Sequence, residues 1–175
     1  RSSVRNQSFY FLPSVAWSDV GGLAFRFYPE GFIHDNKGPS IFTPDPSTRS
    51  SLLGYLNSPL ASELLAAIAP TMSTQVGDVG VLPFKRADNL NDLVGALVET
   101  SRSDWDSFET SWRFMNFPLA DAGSGVSLSS RVVEHLRIWE RTSSEQRARE
   151  CKSNEAIASL YRVADQLETE VPLQR

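Results

Sequence analysis

The chain is poor in the residues that most often carry chemistry. Its 175 residues hold one cysteine, Cys151, and two histidines, His34 and His135. A single cysteine excludes a disulfide framework and a thiol-based zinc cluster. It points to a reducing, intracellular setting, so a cytoplasmic location is expected. Neither histidine has a second His or Cys at ligand spacing, and no metal centre is expected. No apolar run approaches the ~18 residues that span a bilayer, which excludes a membrane-spanning helix and a membrane partner. Also missing are a Gly-x-Ser-x-Gly nucleophile elbow, a phosphate loop ending in Gly-Lys-Ser/Thr and a dinucleotide-binding glycine fingerprint. Gly123-Ser124-Gly125 falls in a Gly/Ser/Ala-rich stretch, 120–127, that reads as a spacer. The chain opens on Arg1 with no signal segment and reads like a piece of a longer protein.

What is present is ordinary globular material. Apolar residues make up 41% and charged residues 22%, and the net charge is -4. This composition excludes a disordered tail, a collagen and a coiled-coil rod. A chain of this length buries roughly 70% of its unfolded surface, enough for one core. The mild acidity argues against a freestanding nucleic-acid binder held by charge alone. The charge is unevenly spread, however. Residues 1–87 carry seven basic and six acidic side chains, and residues 88–175 carry ten basic and fifteen acidic. The first half is also rich in aromatics, Gly and Pro, and the second in Glu, Arg and Ala. That division predicts an α+β fold: a small, mostly antiparallel sheet with two helices over 1–86, followed by a helical lobe over 87–175.

Local patterns fill in this outline. Phe9-Tyr10-Phe11 and Val15-Ala16-Trp17 read as strand-like clusters, the latter closed by Gly21-Gly22. Leu23 to Tyr28 alternates, with Arg26 on the polar face. Pro29-Glu30-Gly31 reads as a tight turn that uses glycine at positive φ. Phe32-Ile33 and Ile41-Phe42 flank a polar loop and complete the sheet. Leucines at three- and four-residue spacing over 50–69 predict two helices meeting at Ser58-Pro59, a cap followed by a first-turn proline. Residues 74–84 (TQVGDVGVLPF) read as a strand opened by Gln75. Helices are predicted over 88–108 with Asp88 as cap, over 129–148 with Ser129 or Ser130 as cap, and over 154–168.

Three groups could bear chemistry. Asp104, Asp106 and Glu109 could work as acids and bases, or cap a following turn. Cys151, beside Arg149 and Lys152, could be an activated thiol, but no His or Asn partner is placed with it, and it reads as a plain helix-face cysteine. Arg26, the Asn36-Lys37-Gly38 loop, Gln75, and Lys85-Arg86 after Phe84 could reach phosphates or base edges, or simply be solvated.

Specific strings carry a resemblance. Residues 52–84 (LLGYLNSPLASELLAAIAPTMSTQVGDVGVLPF) resemble the target-recognition region of adenine-specific DNA methyltransferases. There a leucine-rich helix ends in Leu-Asn-Ser (here Leu56-Asn57-Ser58), followed by a second helix and a glycine-containing strand ending in Leu-Pro-Phe (here Gly77 and Leu82-Pro83-Phe84). Gly31-Phe32-Ile33 and Ile41-Phe42 look like the preceding sheet. Residues 104–119 (DWDSFETSWRFMNFPL) and the closing SNEAIASLYRVADQLETEVPL are similar to the large methyltransferases of BREX phage-defence systems, the PglX group, and related single-chain restriction–modification enzymes. The resemblance covers about residues 20–172.

It implies a C-terminal, non-catalytic recognition piece. The family's Asn/Asp-Pro-Pro-Tyr/Phe tetrapeptide and Gly-rich cofactor loop are absent, and the nearest strings, Asp45-Pro46 and Asn116-Phe117-Pro118, do not match. S-adenosylmethionine and double-stranded DNA are then expected for a full-length parent whose methyltransferase domain lies upstream, with other defence-system proteins as further partners. The nominated DNA contacts are Arg26, Asn36, Lys37, Gln75, Lys85 and Arg86. Trp105, Phe108, Trp112 and Phe114 are expected to anchor the helical lobe to the first lobe rather than stack on bases. The alternatives are a module that docks other proteins, a small independent enzyme using Asp104, Asp106, Glu109 or Cys151, and a structural spacer. A basic face on the first lobe would favour DNA, and an exposed apolar patch on the helices would favour a protein partner.

Overall fold

The leucine-rich run folds around Ser58. Its Oγ accepts from the Ala61 N–H at 3.3 Å and donates to the Tyr55 carbonyl at 2.6 Å, so one hydroxyl closes the helix before it and caps the one after. The two helices are α1 (Pro46–Leu56) and α2 (Pro59–Ile68), each with proline at its first turn. The first begins earlier than the leucine spacing predicts. Asp45 caps it, accepting from the Thr48 N–H at 2.8 Å. The computed structural model describes residues 5–19, 23–35, 37–71, 73–120 and 127–172. Gly21-Gly22, Asn36 and most of the 120–127 spacer lie outside the described residues.

Three short antiparallel strands precede α1: β1 (Ser14–Ala16), β2 (Arg26–Tyr28) and β3 (Ser40–Ile41), in the order β2-β1-β3. Val15 pairs with Phe27 and Ile41, and Ala16 with Arg26 and Ser40. Val15, Phe27 and Ile41 face inward, against the core. The architecture is α+β with an antiparallel sheet. Phe9 to Phe11 do not form a strand. A 3-10 turn (Gln7–Phe9) precedes Phe11, which takes φ 65 and exchanges backbone hydrogen bonds with Gly31 and Phe32. Gly31 sits at φ 96, as the turn requires.

Residues 74–84 hold a short helix, α3 (Val76–Gly80), where a strand was expected. The Asp78 carboxylate accepts from the Gln75 N–H at 2.8 Å, and buried Val79 and Leu82 lie three apart, a helical spacing. The next helix is α4 (Asn91–Asp106), entered through a 3-10 turn (Asp88–Leu90). Asp88 does not cap it; its carboxylate turns to Arg86 and Ser47 instead. The two helices expected over 129–168 are one, α5 (Leu128–Tyr161), of 34 residues. Neither Gly nor Pro interrupts that stretch, so nothing in the backbone forces a break. Its cap is Ser127, not Ser129 or Ser130.

Helix α1 is the centre of the molecule. From Ser51 to Leu56 every residue is buried, between the sheet on one side and α4 and α5 on the other. Gly54 permits the closest approach, since a Cβ there would meet Val94 Cγ2 at 3.1 Å, Ser153 Oγ at 3.3 Å and Leu90 Cδ1 at 3.4 Å. One cluster of buried residues runs from Val15, Trp17 and Phe25 through α1 to Leu90, Val94 and Ile157. After Tyr161 the chain turns at Arg162 and runs back along α5. Asn154 donates to Thr169, Val171 donates to Cys151 Sγ, and Arg147 reaches Val171 and Glu170.

Candidate nucleic-acid interface

Arg26 is the first residue of the edge strand β2, on the outer sheet face opposite Ala16. It is exposed, and its side chain makes no hydrogen bond or ion pair among the described residues. Tyr28 follows on the same face. There His34 lies 5.5 Å from Tyr28 and 4.7 Å from Phe42, which in turn lies 4.7 Å from Phe9. Ser40 Oγ and His34 Nδ1 are 3.0 Å apart. On the same face Ser14, opposite Tyr28, is fully buried, and its hydroxyl has no hydrogen-bond partner among the described residues.

The β1–β3 pairing continues past Ala16 into the loop. Trp17 donates to Pro39 and Asp19 to Lys37 along the backbone. The Asp19 carboxylate also takes the Lys37 ammonium at 2.9 Å, which raises the lysine's pKa above its ordinary value. On the other side, the Thr74 N–H donates to the Asp19 carbonyl, and Trp17 Nε1 donates to the Thr74 carbonyl at 2.8 Å. Lys37 and Gln75 are therefore brought to one end of the sheet, although 38 positions separate them in sequence.

Lys85 and Arg86 are neighbours with different surroundings. The Lys85 ammonium sits 5.3 Å from the Tyr161 ring centre, and the Lys85 backbone N–H donates to Tyr161 Oη at 2.7 Å. Tyr161 Oη donates to Pro83, and its ring stacks on buried Tyr55 at 5.3 Å. This fixes the Leu-Pro-Phe turn against the end of α5. Arg86 points to the start of α1. It meets Asp88 at 2.5 Å, Thr48 and Ser47 at 3.0 Å each, and Asp45 at 3.6 Å. Lys37 and Gln75 thus lie at one end of the sheet, Lys85 and Arg86 follow the Leu-Pro-Phe turn with different partners, and Arg26 stands apart on the sheet. Asn36 lies outside the described residues.

The residues of the enzymatic alternative do not converge. An open groove of about 880 Å³ between α4 and α5 takes in Asp104 but not Asp106, Glu109 or Cys151. Asp106 accepts from Ser111 Oγ at 2.5 Å and so braces the turn after α4. Among the described residues no three His, Cys, Asp or Glu gather as a metal set, and no helix is long and apolar enough to cross a membrane.

The aromatic string departs from expectation. Trp105 and Phe108 are more than half exposed, Trp112 is 93% exposed and Met115 83%. Trp112 lies at the rim of the first half, 6.1 Å from Phe32 between ring centres. The two halves of the chain are joined through α1, where Gly54 meets Val94 and Ser153, and share one core cluster. Spacing and composition gave no sign of this, because exposure is decided by what the neighbouring elements cover.

The Leu-Asn-Ser string gains a physical reason. Asn57 Oδ1 accepts from the Phe25 N–H at 3.1 Å, and its Nδ2 donates to the Phe25 carbonyl at 2.9 Å. One amide therefore acts as a strand partner for Phe25 at the entry to β2.

No family model matches the chain. Two curated proteins do resemble it. The adenine-specific methyltransferase PglX of Lacticaseibacillus casei (strain Zhang) is 31% identical over 187 aligned positions, covering 97% of this chain and 15% of that protein. The adenine-specific methyltransferase BrxX of Escherichia coli O9:H4 (strain HS) is 31% identical over 133 positions, covering 74% of this chain and 11% of that protein. The chain spans less than a sixth of the length of these relatives. It is homologous to one segment of the PglX and BrxX adenine-specific methyltransferases of BREX systems.

Proposed function

We propose that the chain is the DNA target-recognition segment of an adenine-specific DNA methyltransferase of a phage-defence or restriction–modification system. It helps choose the adenine and does not transfer the methyl group. One observation carries this reading: nearly the whole chain matches a small part of much longer methyltransferases, while its sequence contains no Asn/Asp-Pro-Pro-Tyr/Phe tetrapeptide. S-adenosylmethionine and the extruded adenine then belong to another part of the polypeptide, since chemistry on a base requires it out of the stack. The α+β part, 1–86, supplies phosphate and groove contacts through Arg26, Asn36, Lys37, Gln75, Lys85 and Arg86, and 87–175 supports it. The setting is the cytoplasm, where the DNA is.

A segment exchange tests this. The matched segment of the L. casei PglX protein is replaced by this chain, and the methylated adenines are mapped by sequencing. The expected outcome is a new set of methylated sites with S-adenosylmethionine binding unchanged. Retention of the original set would overturn the reading. A second reading, a module that docks other proteins of the system, is favoured by the exposure of Trp105, Trp112 and Met115 on the helical side. It predicts no DNA affinity in the chain and an unchanged site set.

A further inference from the structure

Helix α5 carries apolar residues on one side in both its first and its last turns, separated by the polar stretch 140–152, and only those of the last turns are covered. Leu128, Val132, Leu136 and Trp139 recur at four, four and three residues. At 100° per residue they fall on the side that later carries Ser153, Ile157 and Leu160. Ser153 and Ile157 are buried in the core. The earlier residues are bare: Leu128 is 65% exposed, Leu136 51% and Trp139 57%, with Val132 at 36%. Beside this stripe runs the groove of about 880 Å³ between α4 and α5, with Ile138 and Leu119 in its lining and Trp139 shared with the stripe.

We infer that the bare half of α5 seats an amphipathic helix from another part of the same methyltransferase polypeptide. The inference rests on the proposed function. Two observations select this occupant. The match to L. casei PglX covers 97% of the chain, which leaves too few unmatched residues to omit the stripe, and that protein has 85% of its length outside the match. The groove is also lined by Glu99, Asp104 and Glu134 as well as Arg131 and Arg149, so it presents no dominant positive charge to a DNA backbone. An apolar stripe with mixed charge beside it is the surface that a helix of a neighbouring domain fits, read at positions i, i+4, i+8 and i+11.

Hydrogen exchange on residues 128–142 tests the seat. It is compared between the 175-residue chain alone, whose core closes within itself, and the same chain replacing the matched segment in L. casei PglX. Exchange is expected to be at least about tenfold slower in the larger protein, as for amides drawn into a more stable unit. Leu136→Asp with Trp139→Asp should remove that protection and leave residues 150–161 unchanged. Equal exchange in the two proteins would overturn the inference. So would a dimer of the isolated chain, seen by light scattering, that Leu136→Asp dissociates, because a second copy would then be the occupant. The two proposals fail separately: protection with an unchanged methylated-site set defeats target recognition alone, and a new site set without protection defeats the helix seat alone.

Discussion

Arg86 and Lys85 are adjacent cations with separate tasks. Lys85 lies over an aromatic ring at the end of α5, and Arg86 is held by Asp88, Asp45, Ser47 and Thr48 at the start of α1. The arginine hydrogen bond is the main cause that lowers the Asp88 pKa, and the Thr48 N–H is the main cause that lowers that of Asp45. A lowered carboxylate contributes stability that is present above its unfolded value, about 3.9, and is lost as pH falls through the folded one. Arg86→Gln should therefore lower the melting temperature at pH 7, and its deficit relative to wild type should shrink as pH falls below 4. Melting curves by circular dichroism at pH 7 and pH 3 check this. An equal deficit at both values would mean that the carboxylates are not the partners that matter. In the sequence, Lys85-Arg86 is simply a basic pair. Asp88, two positions on, is the one local partner; the other three, Thr48, Ser47 and Asp45, lie 38 to 41 positions earlier, so nothing local shows Arg86 held against the start of α1.

At the scale of elements, the two helices around Ser58 were legible because cap and first-turn proline act within four residues. The strand expected at 74–84 was not, because its valines and glycines suit a strand by composition. A carboxylate three residues after Gln75 made the helix instead. The single 34-residue α5 was read as two because polar residues 140–152 interrupt the apolar stripe, and a stripe reports burial rather than helix continuity. Two substitutions test how the elements are joined. Asn57→Ala removes both side-chain hydrogen bonds to Phe25; at about 1 kcal/mol each, it should cost about 2 kcal/mol in urea unfolding. Gly54→Ala gains helix propensity but pushes a methyl against Val94, Ser153 and Leu90. All three are buried, Val94 on α4, Ser153 on α5 and Leu90 in the 3-10 turn before α4, and overpacking of this kind costs about 1–3 kcal/mol. Against a propensity gain of about 1 kcal/mol, a net loss is expected, and a stabilised Gly54→Ala protein would show that the three helices are less tightly apposed than drawn.

Across the whole molecule, sequence placed the excess acid in the second half and the candidate contacts in the first. It could not show how many of those contacts are already compensated. Lys37 is paired with Asp19, and Arg86 stands among Asp45 and Asp88. Arg26 and Lys85 have no carboxylate partner among the described residues. Binding to duplex DNA gains from release of counterions, and each phosphate contact adds about 0.9 to the slope of log affinity against log salt. A cation already neutralised by a carboxylate brings less net charge to a phosphate. Loss of Arg26 or Lys85 should therefore reduce the slope by close to that full amount, and loss of Lys37 or Arg86 by less. The measurement is the salt dependence of duplex binding in the PglX protein carrying this chain, for Arg26→Ala, Lys85→Ala, Lys37→Ala and Arg86→Gln. If the slope survives all four changes, the contacts lie elsewhere. If Lys37 and Arg86 matter most, their ion pairs open on DNA, and the carboxylates Asp19 and Asp88 must then turn away from the backbone they meet.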